Sequence, residues 1–433
     1  MASLIFFIIV LAILVLSHEF GHFIAAKKTG MTVHEFGFGF PPRFFGIQFL
    51  KVKEIKKVAE VETVDVKDEM VPTADGGEIL KETITDTIQE IDVVEEKRKW
   101  RFVWGNRELN ETDENYGTVY SLNWIPMGGF VKIKGENGEE ENDPHSFAAK
   151  KNWQKAVVLF AGVVMNVLLA AVLLSLGYMI GLPQSLDKMA DVSNIKDRRI
   201  EILGVLSGKP AEKNGVLAGD AVVQVGEMQN PRLTQMQEYI NANKDKEIVF
   251  KFLRDGQTIE KKITPLYSEE TKKAGIGISI AELGTVKYSF FRSIFEGIKA
   301  TGIYLKEIVL AFYYLIAGLF AGNGAGDAVS GPVGIAVMTG RVARLGIIYL
   351  IQFTAMLSLN LAVFNVLPIP ALDGGRLLFL AIAAIRRKPV SQKLENIFHT
   401  VGFALLMLLV VVVTVRDLSN FKVLIINFFK RLM

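Results

Sequence analysis

Cysteine is absent from all 433 residues. Its absence excludes disulfides, thiolate metal ligands and a cysteine nucleophile together, so a metal ion must be held by His, Asp or Glu. Charge of one sign is also lacking: the formal net charge is +3, too small to mark a nucleic-acid partner, and none is expected. No internal repeat is found. The first apolar run, opening at Leu4, has no basic segment before it. It is therefore not read as a cleavable signal peptide, and cleavage would discard the motif described next.

What is present in quantity is apolar sequence. Half of the residues are hydrophobic and they gather into blocks. Membrane spans are expected at about residues 3–25, 156–182, 346–368 and 396–415, each close to the roughly 20 residues that a bilayer requires. Inside the first lies His18-Glu19-Phe20-Gly21-His22. On a helix, residues four apart share a face, so two imidazoles can grip one metal ion with Glu19 beside it as general base. Each ionisable group at a membrane centre costs about 2.5–3.5 kcal/mol on insertion scales, so a cluster of them calls for a compensating role.

Basic residues flank three loops: Lys27 and Lys28, then Lys150, Lys151 and Lys155, then Arg386, Arg387 and Lys388. Lys and Arg accumulate on the cytoplasmic side. The N-terminus and residues 183–345 are then expected outside, with His18 and His22 toward the cytoplasmic face. A third ligand is offered late in the chain by Asn365-Val-Leu-Pro368-Ile-Pro370-Ala-Leu-Asp373-Gly374-Gly375. Two prolines one residue apart cannot continue a regular helix, so extended backbone is expected to aim Asp373 inward. If the third span runs from outside to inside, Asp373 emerges on the same side as the two histidines.

An H-E-x-x-H in the first span, an N-x-x-P-x-P-x-L-D-G after the third and a PDZ-like segment between them resemble the bacterial site-2 proteases, specifically the regulator-of-sigma-E protease type. Nearly the whole chain takes part. The resemblance implies an intramembrane metalloprotease with Zn2+ bound by His18, His22 and Asp373, water activated by Glu19, and the substrate strand or oxyanion held by Asn365, beside Pro368 and Pro370. Implied partners are the lipid bilayer and single-pass membrane proteins, an anti-sigma factor or signal-peptide remnants among them. The implied location is a bacterial inner membrane.

Further matches run along the chain. Gly37-Phe38-Gly39-Phe40 resembles the entry to the family's membrane-associated β-loop, with proline displaced to Pro41. Tyr120-Ser-Leu-Asn-Trp-Ile-Pro126-Met-Gly128-Gly129-Phe130 resembles the strand of that loop that pairs with extended substrate. Phe160-Ala161-Gly162-Val163-Val164-Met165-Asn166 resembles the opening of the second span, with Val163 replacing a proline. Asn166 is a second candidate for a substrate or transition-state hydrogen bond, and with Gly162 it equally fits helix packing. Pro210-Ala211 through Gly219-Asp220, followed by alternating strands, resembles a circularly permuted PDZ domain, with Gly275-Ile276-Gly277-Ile278 as its peptide-binding segment.

The expected fold class is a polytopic α-helical membrane protein: four transmembrane helices, a membrane-associated β-loop and an inserted extracytoplasmic α+β PDZ domain. The domains read as 1–26 (first span), 27–155 (cytoplasmic-side β-loop), 156–182 (second span), 186–282 (PDZ), 286–322, 346–376 (third span and LDG motif), 396–415 (fourth span) and a tail, 416–433. Residues 286–322 are expected as interfacial amphipathic helices, with Tyr288, Phe290, Phe291, Ile294, Phe295 and Ile298 facing lipid, because one more crossing would turn Asp373 away from the histidines. The β-loop holds an insertion at about 51–118, with 18 acidic and 11 basic residues over Lys51–Glu114, expected as an elaborated hairpin or mobile lobe. A functional alternative is an inactive PDZ-bearing scaffold with a structural metal site; intact Glu19 argues against it. A zinc transporter would need polar residues on several helices. Gly324-Ala-Gly326-Asp327 matches the G-x-G-D of aspartyl intramembrane proteases, but no partner aspartate lies in another apolar span.

Overall fold

The computed structural model describes residues 2–72, 78–105, 117–186, 195–254, 256–269, 272–321, 330–388 and 390–430. Two compact units share the chain, 1–21 with 159–433 and 22–158. Their borders fall inside two continuous helices, α1 (Ala2–Lys28) and α2 (Asn152–Ile180).

In the second unit, β1 (Val33–Pro72), β2 (Glu78–Trp104) and β3 (Val119–Ile133) form one sheet in the order β2-β1-β3. Glu35–Phe38 of β1 pair with Gly129–Lys132 along one edge and with Val119–Leu122 along the other. The insertion continues β1 and β2 as a two-stranded ribbon, paired from Phe45↔Trp104 to Pro72↔Glu78 with a register shift between Val61 and Thr63. Residues 106–116, near its end, lie outside the described residues. At the ribbon's base, Phe45, Ile47 and Phe49 pair with Trp104, Phe102 and Trp100. Directly paired residues share a face, so six apolar side chains line one side of the ribbon.

The first unit holds a seven-stranded sheet: β4 (Leu182–Ser185), β5 (Ile195–Val205), β6 (Ala221–Val225), β7 (Met228–Gln229), β8 (Ile248–Arg254), β9 (Gln257–Ile263) and β12 (Ile278–Val286). Their order is β4-β12-β5-β6-β8-β9, with β7 on β6; β10 (Leu266–Ser268) and β11 (Lys273–Gly275) form a separate pair. Strand alternation buries Ile248, Phe250 and Phe252 from β8 beneath Met236 and Ile240 of α4 (Leu233–Ala242), as a period of two dictates. The short α3 (Pro210–Lys213) begins at the Pro-Ala motif. Asp220 of the Gly-Asp motif is buried and accepts both Leu217 N–H at 2.9 Å and the Arg254 guanidinium at 2.6 and 2.7 Å.

Among the described residues, five helices are long and apolar enough to cross a membrane: Leu4–Lys28, Asn152–Ile180, Phe290–Gly318, Ile347–Val366 and Gln392–Ser419. The third belongs to α5 (Phe290–Phe320), one continuous helix where several short interfacial ones were expected. Its first turns do expose Phe290, Phe291, Phe295 and Ile298, while Tyr288 instead packs on Tyr178 at the end of α2. Further along, Ala300 and Ile308 join Ala170 and Leu174 of α2 and Ala355, Leu359 and Val363 of α7 (Ile347–Val366) in one core. Tyr349, at the start of α7, accepts a hydrogen bond at 2.9 Å from Arg199, which pairs with the part of β12 that leads into α5. Phe312 meets Phe364 near the other ends, so α5 and α7 run the same way.

Between them, α6 (Pro332–Leu345) starts where Gly331 and Gly334 donate to the buried Asp417 carboxylate at 3.0 and 2.7 Å. Asp417 belongs to α9 (Gln392–Lys430), which runs through most of the residues expected as a tail. The loop expected after the LDG motif is instead mostly helical, as α8 (Asp373–Arg386).

Candidate metal centre

The H-E-x-x-H residues sit in uninterrupted helix α1, so one turn separates His18 from His22 on a common face. The His22 Nδ1 lies 2.8 Å from the Val158 carbonyl oxygen. A carbonyl can only accept, so Nδ1 carries the proton and Nε2 keeps its lone pair for a metal. Glu19 is half-buried beside them. Gly21 faces α2, where an added Cβ would come within 2.3 Å of the Ala161 carbonyl oxygen.

Asp373 arrives from the other end of the chain. Helix α7 stops at Val366 because Pro368 and Pro370 each remove a backbone N–H donor. Residues 367–372 run non-helically and Asp373 opens α8. Gly374 and Gly375 let α8 tuck beneath that break: a Cβ on either would come within 2.1 Å of the Leu367 oxygen or 2.5 Å of the Ile369 oxygen. The result brings Asp373 Oδ2 to 3.0 Å from His18 Nε2, with side chains only 20% and 12% exposed.

Ligand atoms from His18, His22 and Asp373 all lie within 4.8 Å of one another. Because α1 is continuous, the place of His22 relative to His18 is set by the helix itself. Two imidazole nitrogens and one carboxylate oxygen are a donor set for zinc, and three protein ligands leave a tetrahedral position open for chemistry. Tetrahedral ligands at about 2.1 Å from zinc stand roughly 3.4 Å apart, so the His18–Asp373 separation fits such an ion.

Two amides flank His18. Asn365 Nδ2 lies 3.3 Å from its Nε2, and Asn166 Nδ2 lies 3.4 Å from its Nδ1. Asn166 is fully buried, its backbone oxygen takes the Ser358 hydroxyl at 2.7 Å, and its Oδ1 has no partner among the described residues. Of the other expected substrate contacts, Gly128 and Gly129 are buried, and Gly129 and Phe130 pair with Phe38 and Gly37 of β1. The opposite edge of that β3 segment has no strand partner among the described residues. In the segment expected to bind peptide, Ile276 is buried, and the Ile276 and Gly277 carbonyls accept Ala211 and Leu206 N–H groups, each at 2.9 Å. Gly275 pairs with Leu266, and Ile278 starts β12.

The match to the model of peptidase family M50 covers residues 6–55 and 101–409, passing over most of the ribbon. The chain belongs to peptidase family M50. The zinc metalloprotease RasP of Geobacillus kaustophilus (strain HTA426) is 32% identical over 437 residues, covering 97% of this chain and 98% of that one. The regulator of sigma-W protease RasP of Bacillus subtilis (strain 168) is 30% identical over 440 residues, covering 96% and 98%. A crystal structure of the PDZ domain of an SdrC-like protein from Listeria monocytogenes aligns with 19% of this chain and 85% of its own, at 17% identity and a TM-score of 0.18.

In this M50 chain, several supporting residues escape motif reading. The Val158 carbonyl orients His22, the Ser358 hydroxyl holds the Asn166 backbone, and Asp417 caps α6. None carries a local signal, since a main-chain carbonyl can be offered by any residue type and the other two act across helices.

Proposed function

We propose that this protein hydrolyses peptide bonds inside the membrane helices of single-pass proteins, with zinc held by His18, His22 and Asp373 and with Glu19 as general base. It is a zinc-dependent metalloendopeptidase of family M50, and a multi-pass membrane protein by its several long apolar helices. The observation that carries the residue roles is the 3.0 Å approach of His18 to Asp373, 355 positions apart. Bound zinc supplies a Lewis acid that polarises a carbonyl and makes water a nucleophile near neutral pH.

The chain's own groups do the rest. Glu19 takes the proton from the attacking water and hands it to the leaving amine nitrogen. Asn365 and Asn166, whose amides point at His18 from two sides, donate hydrogen bonds to the developing oxyanion. A substrate helix hides its carbonyls in internal hydrogen bonds and must unwind first. The open edge at Gly128–Phe130 offers replacement pairing, and Pro368 and Pro370 keep the facing backbone from continuing as helix. The β12 edge over Ile278–Glu282, which has no strand partner on the β4 side among the described residues, supports strand addition at the PDZ domain beside Gly275–Ile278.

For topology, α1, α2, α7 and α9 are the four crossings, with the N-terminus and PDZ domain extracytoplasmic and the metal centre toward the cytoplasm. Helix α5 enters from the PDZ side without adding a net crossing. Trp100, Phe102 and Trp104 are 63%, 55% and 65% exposed, an aromatic face suited to the lipid interface. The proposed substrate is an anti-sigma factor, in line with the Bacillus subtilis relative's name; signal-peptide remnants are the second class.

The test is cleavage of a tagged single-pass helix by purified wild type and Glu19→Gln, with and without a zinc chelator. Cleavage within the helix by untreated wild type alone is the expected result. Equal cleavage by Glu19→Gln would sink the mechanism, and no cleavage of any helix by wild type would favour the scaffold.

A further inference from the structure

We infer that His399, on α9, is a positioning residue for Asp373, holding the turn that aims the carboxylate. The inference rests on the reading of Asp373 as a zinc ligand. Residues Ile369–Leu372 form a β-turn closed by the Leu372 N–H on the Ile369 carbonyl at 3.3 Å. Pro370 takes the second place and Ala371 the third, with φ +69°. Proline second and a positive φ third define a type II turn, whose third place glycine ordinarily fills. Ala371 carries a Cβ there, so this conformation persists only with support from outside the turn.

That support comes from α9. The turn's own hydrogen bond leaves the third residue's N–H unpaired, and Ala371 N–H donates to His399 Nδ1 at 3.0 Å. Three residues on, Gly402 admits Pro370; a Cβ there would come within 1.8 Å of the proline ring. His399 Cε1 stands 3.2 Å from where a Cβ on Gly375 would sit, and the imidazole packs 5.9 Å from the Phe379 ring. One side chain thus touches the turn before Asp373 and the first turn of α8 after it. Leucine or phenylalanine would fill the same space. What histidine adds is the Nδ1 acceptor, at the expense of a buried Nε2 with no partner among the described residues. A buried nitrogen left unpaired disfavours a purely space-filling role. Asp373 follows Ala371 by two residues, so any rotation of the turn swings its carboxylate away from His18.

The experiment compares full-length wild type with H399L, H399N, H399Q, A371G and A371G/H399L in detergent. Zinc affinity is read by competition with a chromophoric chelator, kcat and KM on a tagged single-pass helix, and folding by thermal melting. H399L is expected to weaken zinc binding about 10–100-fold, the usual effect of losing an outer partner of a metal ligand. Its kcat should fall by more than KM changes, since the main effect is on the metal ligand and His399 itself makes no substrate contact. H399N puts an amide oxygen at the Nδ1 position and should restore both values; H399Q, with its acceptor one bond further out, should not. A371G alone should behave as wild type and, in the H399L background, recover most of the lost affinity, because glycine holds φ +69° unaided. Unchanged zinc affinity and kcat in H399L overturn the inference. So does loss in H399L that neither A371G nor H399N relieves, which marks packing alone. Should H399L fail to fold, H399N against H399Q decides: equal zinc affinity refutes the positioning role. A wild type that binds no zinc refutes the metal reading itself, and this inference with it.

Discussion

Replacing Gly21 by alanine adds one methyl group at the point where α1 and α2 touch. The new Cβ would stand 2.3 Å from the Ala161 carbonyl oxygen, 2.7 Å from its carbon and 2.9 Å from the Gly162 Cα. Ordinary contact needs about 3.5 Å, so the two backbones must part by roughly 1 Å. No flexible side chain can yield, because every obstructing atom is main chain. The metal site straddles this crossing: His18 lies one turn before Gly21, and Asn166 lies one turn beyond Gly162. The same parting stretches the 2.8 Å bond from His22 to Val158 beyond the range of a real hydrogen bond. A misplacement of about 1 Å at a catalytic centre costs on the order of 100-fold in rate, equivalent to about 2.7 kcal/mol. Overpacking should also lower stability by about 1–3 kcal/mol. The assay is kcat on a tagged single-pass helix, with zinc content and melting temperature measured on the same preparation. Gly21→Ala cleaving within a few-fold of wild type, zinc intact, would refute the claim that this close approach sets the site geometry.

Four further outcomes are expected. Glu19→Gln should lose about 10²–10⁴-fold in kcat while retaining zinc at wild-type stoichiometry, because removing a general base leaves the ligands in place; metal analysis beside kinetics checks it. Asp373→Asn should release zinc to a competing chelator where wild type holds it, since the carboxylate supplies the third ligand. Asp417→Ala strips two backbone N–H groups at the start of α6 of a buried acceptor; a loss of about 2 kcal/mol is expected, read as a lower melting temperature in detergent. The Lys134 ammonium, 2.6 Å from Asp143, and the His145 N–H hold the Asp143 carboxyl below the usual carboxylate range. A depressed folded-state value means that the stabilisation is present above the unfolded value of about 3.9 and fades as pH falls through the folded one. The difference in melting temperature between wild type and Asp143→Asn should therefore be present at pH 7 and vanish at the acid end.

Local physics made one half of the candidate metal centre readable from residues alone. Four-residue spacing on an apolar helix puts His18 and His22 on one face whatever surrounds them, and Pro368 with Pro370 must end α7 wherever it packs. The spans were legible for the same reason, since a bilayer needs a fixed length of apolar chain. Composition alone does not show that one face of α5 buries Gly297, Ala300 and Ile308 against α2 and α7. Helix α8 was hidden by the Gly-Gly pair at its start, which reads as a turn unless the carbonyls above it are known.

His18, Glu19 and His22, the break at Pro368–Pro370 and the apolar spans follow from sequence by itself, because each depends on spacing within one element. The meeting of Asp373 with His18, the Val158 carbonyl behind His22, the His399 bond to Ala371 and the Asp417 cap of α6 were decided only by tertiary structure. Each joins groups that no local periodicity relates, and a buried donor or acceptor finds its partner only when separate helices have packed together.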